Sequence, residues 1–283
     1  MRPVCVLVFM ILLAVPGAGA WASAQPVASE DLLAGAEHQY QGELDLAEQE
    51  FSRVLESDPD NEFVLNQLGL IHAKRGDVSK ARSFFSRAAE VSADNVFARL
   101  WLGILFLETN DRDQAAAMFR EVLALDPYNA GACYFLGVLC AVENDLSGAI
   151  EWFEKAQNAG SDDPDIHYRL AVAFSGLDME YNAQLEFERT LALHPGHTKA
   201  LNGLGWIFYD RGERNMALRC WNKALELNSS DAETRAALAL VHNQEAQDAL
   251  AQGEVRLARE LWEQTLAYEP DNKAAKHYLR TIN

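Results

Sequence analysis

Residues 96–129, VFARLWLGILFLETNDRDQAAAMFREVLALDPYN, decide the fold. The first part carries Leu102, Leu105 and Phe106 at helical spacing and breaks at Asn110-Asp111. The second, with Ala115, Phe119, Val122 and Leu123, closes at Asp126-Pro127. Two helices of about 13 residues joined by a tight turn make an antiparallel pair. This stretch is one copy of many. Alanine recurs every 34 residues at Ala47, Ala81, Ala115, Ala149, Ala183 and Ala217. Each is followed four residues later by an aromatic: Phe51, Phe85, Phe119, Phe153, Phe187 and Trp221. Twelve residues before each stand Gly35, Gly69, Gly103, Gly137, Ala171 and Gly205. A seventh copy, with Ala246, Ala258, Trp262 and Pro270, follows a seven-residue slip in phase. Self-similarity at this period means stacked units that bury one another's apolar faces.

The small residues carry the most information. Glycine in mid-helix costs roughly 1 kcal/mol against alanine, yet it returns at one register in five units. Packing therefore outweighs local propensity there. Gly103 and Ala115 let two helices approach closely, and Phe119 fills the space beside them.

These residues resemble the tetratricopeptide repeat family. Leu68-Gly69, Leu102-Gly103-Phe106, Leu136-Gly137 and Leu204-Gly205-Phe208 match the first half of its signature. Ala115-Phe119-Val122-Pro127 and Ala183-Phe187-Thr190-Pro195 match the second. The resemblance implies an all-α, right-handed superhelical solenoid of about seven helix-turn-helix repeats plus a C-terminal capping helix. The repeats fall at 28–61, 62–95, 96–129, 130–163, 164–197, 198–231 and 239–272, and the cap at 273–282. Gly69, Gly103, Gly137, Gly205, Ala115, Ala149, Phe119 and Phe153 are its structural signature. The fifth repeat departs from it, with Ala171 for glycine and Asp178-Met179 for the usual Gly-Asp, so its turn is expected to be irregular. Residues 232–238 are an insertion of about two helical turns, read as lengthening the seventh repeat's first helix.

Residues 1–24 read as a secretory signal. Arg2 begins it, residues 4–15 are apolar, Pro16-Gly17 breaks any helix, and Ala22-Ser23-Ala24 fits a cleavage site before Gln25. A cut after Ala20 is the alternative, and an uncleaved N-terminal anchor is the alternative to cleavage. The apolar run is short of the about 20 residues that span a bilayer. The expected location is exported, periplasmic, with no membrane span after cleavage. Ser29, before Glu30-Asp31, reads as the N-cap of the first repeat helix.

Composition excludes some partners. A formal charge of −18 makes nucleic acid and anionic lipid poor ones. Cys133 and Cys140 sit about 10 Å apart along one helix, beyond disulfide reach. With Cys220 they read as small packed apolar residues. The sequence holds no phosphate loop, HExxH, CxxC or Gly-x-Ser-x-Gly motif. His38, His72, His167 and His242 occupy positions where an aromatic packs, and His194-Pro195-Gly196-His197 reads as turn chemistry. No catalytic residue, metal ligand or cofactor site is therefore expected.

In the family the first helix of each repeat lines a concave groove. The resemblance places Phe63, Asn66, Phe97, Trp101, Ile104, Tyr134, Val138, Tyr168, Arg169, Asn202, Trp206 and Tyr209 there. Trp101 is also open to packing between repeats. An apolar, aromatic track with Asn and Arg suits an extended peptide or amphipathic helix. Arg169 and Lys199 are too few and too scattered for a clamp on a terminal carboxylate. The function expected is a non-enzymatic adaptor or scaffold of the bacterial cell envelope, holding a protein partner in that groove. A self-assembling homo-oligomer is one alternative, and an accessory subunit of an envelope polysaccharide or secretion assembly is another.

Overall fold

The computed structural model describes residues 26–160 and 162–282, with side chains from residue 30 onward. The expected signal segment and its cleavage sites lie outside the described residues. Among the described residues there are fifteen α-helices and no strand. In order they are α1 (Pro26–Gln41), α2 (Leu44–Ser57), α3 (Glu62–Arg75), α4 (Val78–Val91), α5 (Val96–Glu108), α6 (Arg112–Leu125) and α7 (Ala130–Val142). There follow α8 (Leu146–Asn158), α9 (Pro164–Gly176), α10 (Glu180–Leu193), α11 (Thr198–Asp210) and α12 (Arg214–Leu227). The last three are α13 (Ala232–Ala251), α14 (Val255–Tyr268) and α15 (Lys273–Thr281). The chain divides into two compact units, one ending at Leu139 and one beginning at Cys140. Both are all-α and built of helix-turn-helix pairs.

In the first unit α1 packs on α2, α3 on α4, and α5 on α6. Phe51, Phe85 and Phe119 are wholly enclosed. Their contact with the recurrent glycines is direct. A Cβ built on Gly69 would lie 2.7 Å from the Phe85 ring, and one on Gly103 would lie 2.5 Å from the Phe119 ring. The glycine thus stands where the second helix presses its aromatic ring against the first. Helix starts follow from short polar side chains. Asn61, Asp77, Asn95 and Asp111 each accept a hydrogen bond from the backbone N–H three residues ahead.

In the second unit the pairs are α9/α10, α11/α12 and α13/α14, with α15 packed on α14. Phe153, Trp221 and Trp262 are its fully enclosed rings. Tyr278 of α15 stacks on Trp262 at 4.5 Å, with Leu279 and Ile282 packed beside it. That contact closes the apolar end of the last pair. The insertion falls within α13, which runs for 20 residues. Its added turns are packed rather than protruding: Thr234, Ala237 and Leu238 are buried. Arg235 donates to the carbonyls of Ala267 and Tyr268, satisfying groups that the end of α14 leaves free.

Three expectations are corrected. The turn after α9 is regular. Asp178 takes a φ of 56°, the left-handed conformation of Gly42, Gly76, Asn110, Asn144, Gly212 and Gly253 at the same register. Aspartate tolerates that region far better than most residues, so the repeat loses its glycine without losing its geometry. Ser29 is not a helix N-cap, because α1 begins at Pro26. Of the three described cysteines, Cys133 alone is fully buried; Cys140 and Cys220 are partly exposed.

Met179 ends a capping pattern that the three preceding repeats keep. It stands at the N-cap of α10, where a thioether is a poor acceptor, whereas Asp77, Asp111 and Asp145 cap at the same register. Met179→Asp is expected to stabilise the protein by about 1 kcal/mol. Little packing is lost, since Met179 is already 42% exposed. An unchanged or lower urea midpoint would count against a capping role at this register.

Candidate functional site

Each unit places its share of the expected groove residues differently. In the first unit the aromatic track is core. Trp101, Ile104 and Tyr134 are buried, so they are not groove-lining residues. Trp101 stacks on Phe85 at 5.7 Å and 7° between planes, and Phe135, one repeat on, stacks on Phe119 at 5.1 Å and 10°. Tyr134 meets Phe135 edge-on at 5.2 Å, and Phe97 leans on Trp101 at 6.3 Å. An aromatic at this register of a first helix thus covers the ring of the preceding second helix. Phe63, Asn66, Phe97 and Val138 remain half-buried. Phe63 packs edge-on against Phe51, and Asn66 accepts a long 3.5 Å bond from Asn95.

In the second unit no ring stands at that register. Gly203 holds the register of Trp101 and Phe135, and a Cβ there would lie 2.4 Å from the Phe187 ring. Phe187 is met instead by Tyr168, at 6.1 Å between ring centres, and the two rings border an open cleft of about 440 Å³. Val172 of α9 and Lys199, Trp206 and Asp210 of α11 also line this cleft, with Asp178, Glu180 and Glu233. A second cleft of about 380 Å³ continues past Trp206 and Glu233 to Ala236, Leu240 and Asn243 of α13 and to Glu269 and Asn272. Trp206 and Glu233 border both. Val172 and Leu240 are each 46% exposed, a large apolar presentation on helices that are otherwise packed.

Of the residues expected in this half, Tyr168 and Trp206 line the cleft and three do not. Asn202 is buried; its backbone carbonyl accepts from Trp221 Nε1 at 3.4 Å, while its Oδ1 finds no partner among the described residues. Arg169 is drawn aside by Asp165, to which its Nε donates at 2.8 Å. Tyr209 packs on Trp206 and Trp221 with ring centres 5.9 and 6.0 Å away. The acidic residues were missed. Their only signal was the net charge, which does not say where it is concentrated.

Tyr168 is fixed from below by His197, whose ring centre lies 4.7 Å from its own. His197 Nδ1 accepts the Ala200 N–H at 3.1 Å and so caps α11. That bond requires a neutral ring nitrogen. Burial holds His197 below the usual imidazole range, with the nearby His194 acting in the same direction. The Tyr168 phenol is pushed up, mainly by burial and then by the negative Glu233. Glu180 is neutralised by Arg211 in a close ion pair.

His72 and His242 are packed, whereas His194 and His277 are exposed. His72 stacks on Phe84 at 5.4 Å and His242 on Tyr268 at 5.7 Å. Among the described residues no group of three or more His, Cys, Asp or Glu could hold a metal ion. None of the described helices is long and apolar enough to cross a membrane.

Paired helices at a fixed period and an open cleft along the first helices define a helical-repeat protein. Residues 32–95, 100–164 and 243–279 match the tetratricopeptide repeat profile, and residues 198–231 match a second profile of the same repeat. The chain belongs to the tetratricopeptide repeat family, and its fold is the solenoid of that family. No curated protein matches its sequence. Among solved structures it is similar to the C-terminal part of a TPR repeat-containing protein from Cytophaga hutchinsonii. There the TM-score is 0.68 at 15% identity, over 87% of this chain and 98% of the other. It is also similar to PilF of Pseudomonas aeruginosa, with TM-score 0.61 and 17% identity over 77% of this chain and 96% of that one. A third is YrrB, a TPR protein with an unusual peptide-binding site. Its TM-score is 0.55 at 18% identity, over 66% of this chain and 96% of the other. At these identities the likeness is one of fold.

Proposed function

We propose that this chain is a non-enzymatic adaptor that holds an extended segment of a partner protein in the groove of its second unit. The observation that carries this reading is the pair of clefts meeting at Trp206, with Val172 and Leu240 presented at their edges. Aromatic anchors in a recess bordered by polar groups are what a partner's apolar side chains require. YrrB offers a precedent for peptide binding on this fold. The apolar segment at residues 4–15 and the small residues before Gln25 support export, and hence a partner in the bacterial envelope.

Crosslinking capture from the native envelope fraction tests the reading, with wild type beside a Tyr168→Ala/Trp206→Ala double variant. Capture is expected to be lost while the helical circular dichroism is retained. Val172→Glu, which places a charge in the cleft from a half-exposed position, should lose it too without disturbing the Trp206–Trp221 contact. Undiminished capture in both variants rejects the groove as the site. Capture of this chain alone, lost in the same variants, would make the partner a second copy.

A further inference from the structure

The nature of the groove's occupant can be taken further, on the basis of the partner-binding reading above. We propose that the second unit's groove selects a peptide segment in which lysine or arginine side chains flank an apolar anchor. The apolar half of the groove is the exposed Val172 and Leu240 on either side of Trp206. The charged half is the rim. Asp178, Asp210 and Glu233 line the first cleft, and none of them forms a salt bridge among the described residues. Lys199 is the single cation lining that cleft. The second cleft adds Glu269 and is lined by no cation.

Glu233 is the residue that ties the halves together. It borders both clefts beside Trp206, and its charge acts on the Tyr168 phenol. A cation seated there meets a carboxylate, while the apolar stem that carries it packs beside the indole. A carboxylate-bearing peptide would meet repulsion at the same place. The formal charge of −18 on the chain adds long-range attraction for a basic segment. Basic charge on the partner is therefore the complement of this rim, and the apolar anchor is the complement of the cleft behind it.

Fluorescence anisotropy on the full-length chain tests this with three labelled, C-terminally amidated synthetic peptides. One alternates lysine with leucine, and the others carry glutamine or glutamate in place of lysine. The lysine peptide is expected to bind about tenfold more tightly than the glutamine peptide, the scale of one charge-assisted contact. The glutamate peptide should bind least. In Glu233→Gln/Asp210→Asn, with its melting temperature checked, the lysine advantage should vanish while both peptides still bind. Trp206→Ala should weaken the lysine and glutamine peptides alike. Equal affinities for the lysine and glutamine peptides in the wild type, or no binding of the lysine peptide, overturn the proposal. A lysine preference that survives in Glu233→Gln/Asp210→Asn overturns it as well, by placing the attraction elsewhere on the acidic surface. If the glutamine peptide binds as well as the lysine one and Trp206→Ala abolishes both, the groove reading stands and only the charge selectivity fails. Binding that ignores Trp206→Ala removes both.

Discussion

Trp221→Ala is expected to lower the unfolding free energy by about 3–5 kcal/mol, the range for deleting a large enclosed aromatic. Trp221 has no exposed surface. Its ring touches the backbone of α11 so closely that a Cβ on Gly205 would lie 2.2 Å from Nε1. Trp206 and Tyr209 lean on it from the groove side, at 5.2 and 6.0 Å between ring centres. Alanine would therefore leave a cavity walled by α11, which that helix cannot fill without moving the groove. Trp221→Phe should cost less, because phenylalanine fills this register at Phe51, Phe85, Phe119, Phe153 and Phe187. Urea unfolding of the three proteins measures both. Repeat arrays can unfold in more than one step, so the second unit's transition is the one to compare. A loss below about 1 kcal/mol for alanine would mean that the site collapses around the smaller side chain.

The fold was legible because each register position has one job. An alanine every 34 residues with an aromatic four residues later is a statement about contact, and the aromatics so marked are buried. The turn after α9 was misread because the sequence pattern treats glycine as necessary where only a left-handed backbone is. Asp178 supplies that backbone, as Asn110 and Asn144 do. The groove was half legible for a different reason. Periodicity identifies the face on which a side chain lies but not how much space the facing element leaves. Ile104, Val172 and Trp206 share a register, yet Ile104 is 1% exposed and Val172 46%. The side chain at the neighbouring register makes the difference visible in one place. Trp101 and Phe135 cover the rings behind them, and Gly203 does not. A mid-helix glycine outside the repeat signature was the available signal for an opening, and Gly203 is such a residue.

Glu186→Ala is expected to cost about 2–3 kcal/mol, through loss of charge-assisted bonds at a buried site. Glu186 lies on α10 with 6% of its surface exposed. It accepts from His167 Nδ1–H at 2.7 Å and from Arg189 at 2.6 Å. The His167 bond matters more, since that ring is itself buried and would be left without this acceptor. Arg189 is half-exposed, and water can replace its partner. One repeat further on, the same two registers hold the apolar Leu201 and Cys220. The polar pair is thus one of two ways to fill these registers rather than a requirement of the fold. The double variant His167→Leu/Glu186→Met should accordingly return to within about 1 kcal/mol of wild type, as apolar replacements of buried ion pairs often do. Each single variant leaves one polar group stranded and should fall well below it. If the double variant is as unstable as Glu186→Ala, the histidine–carboxylate pair has a structural role that volume alone does not replace.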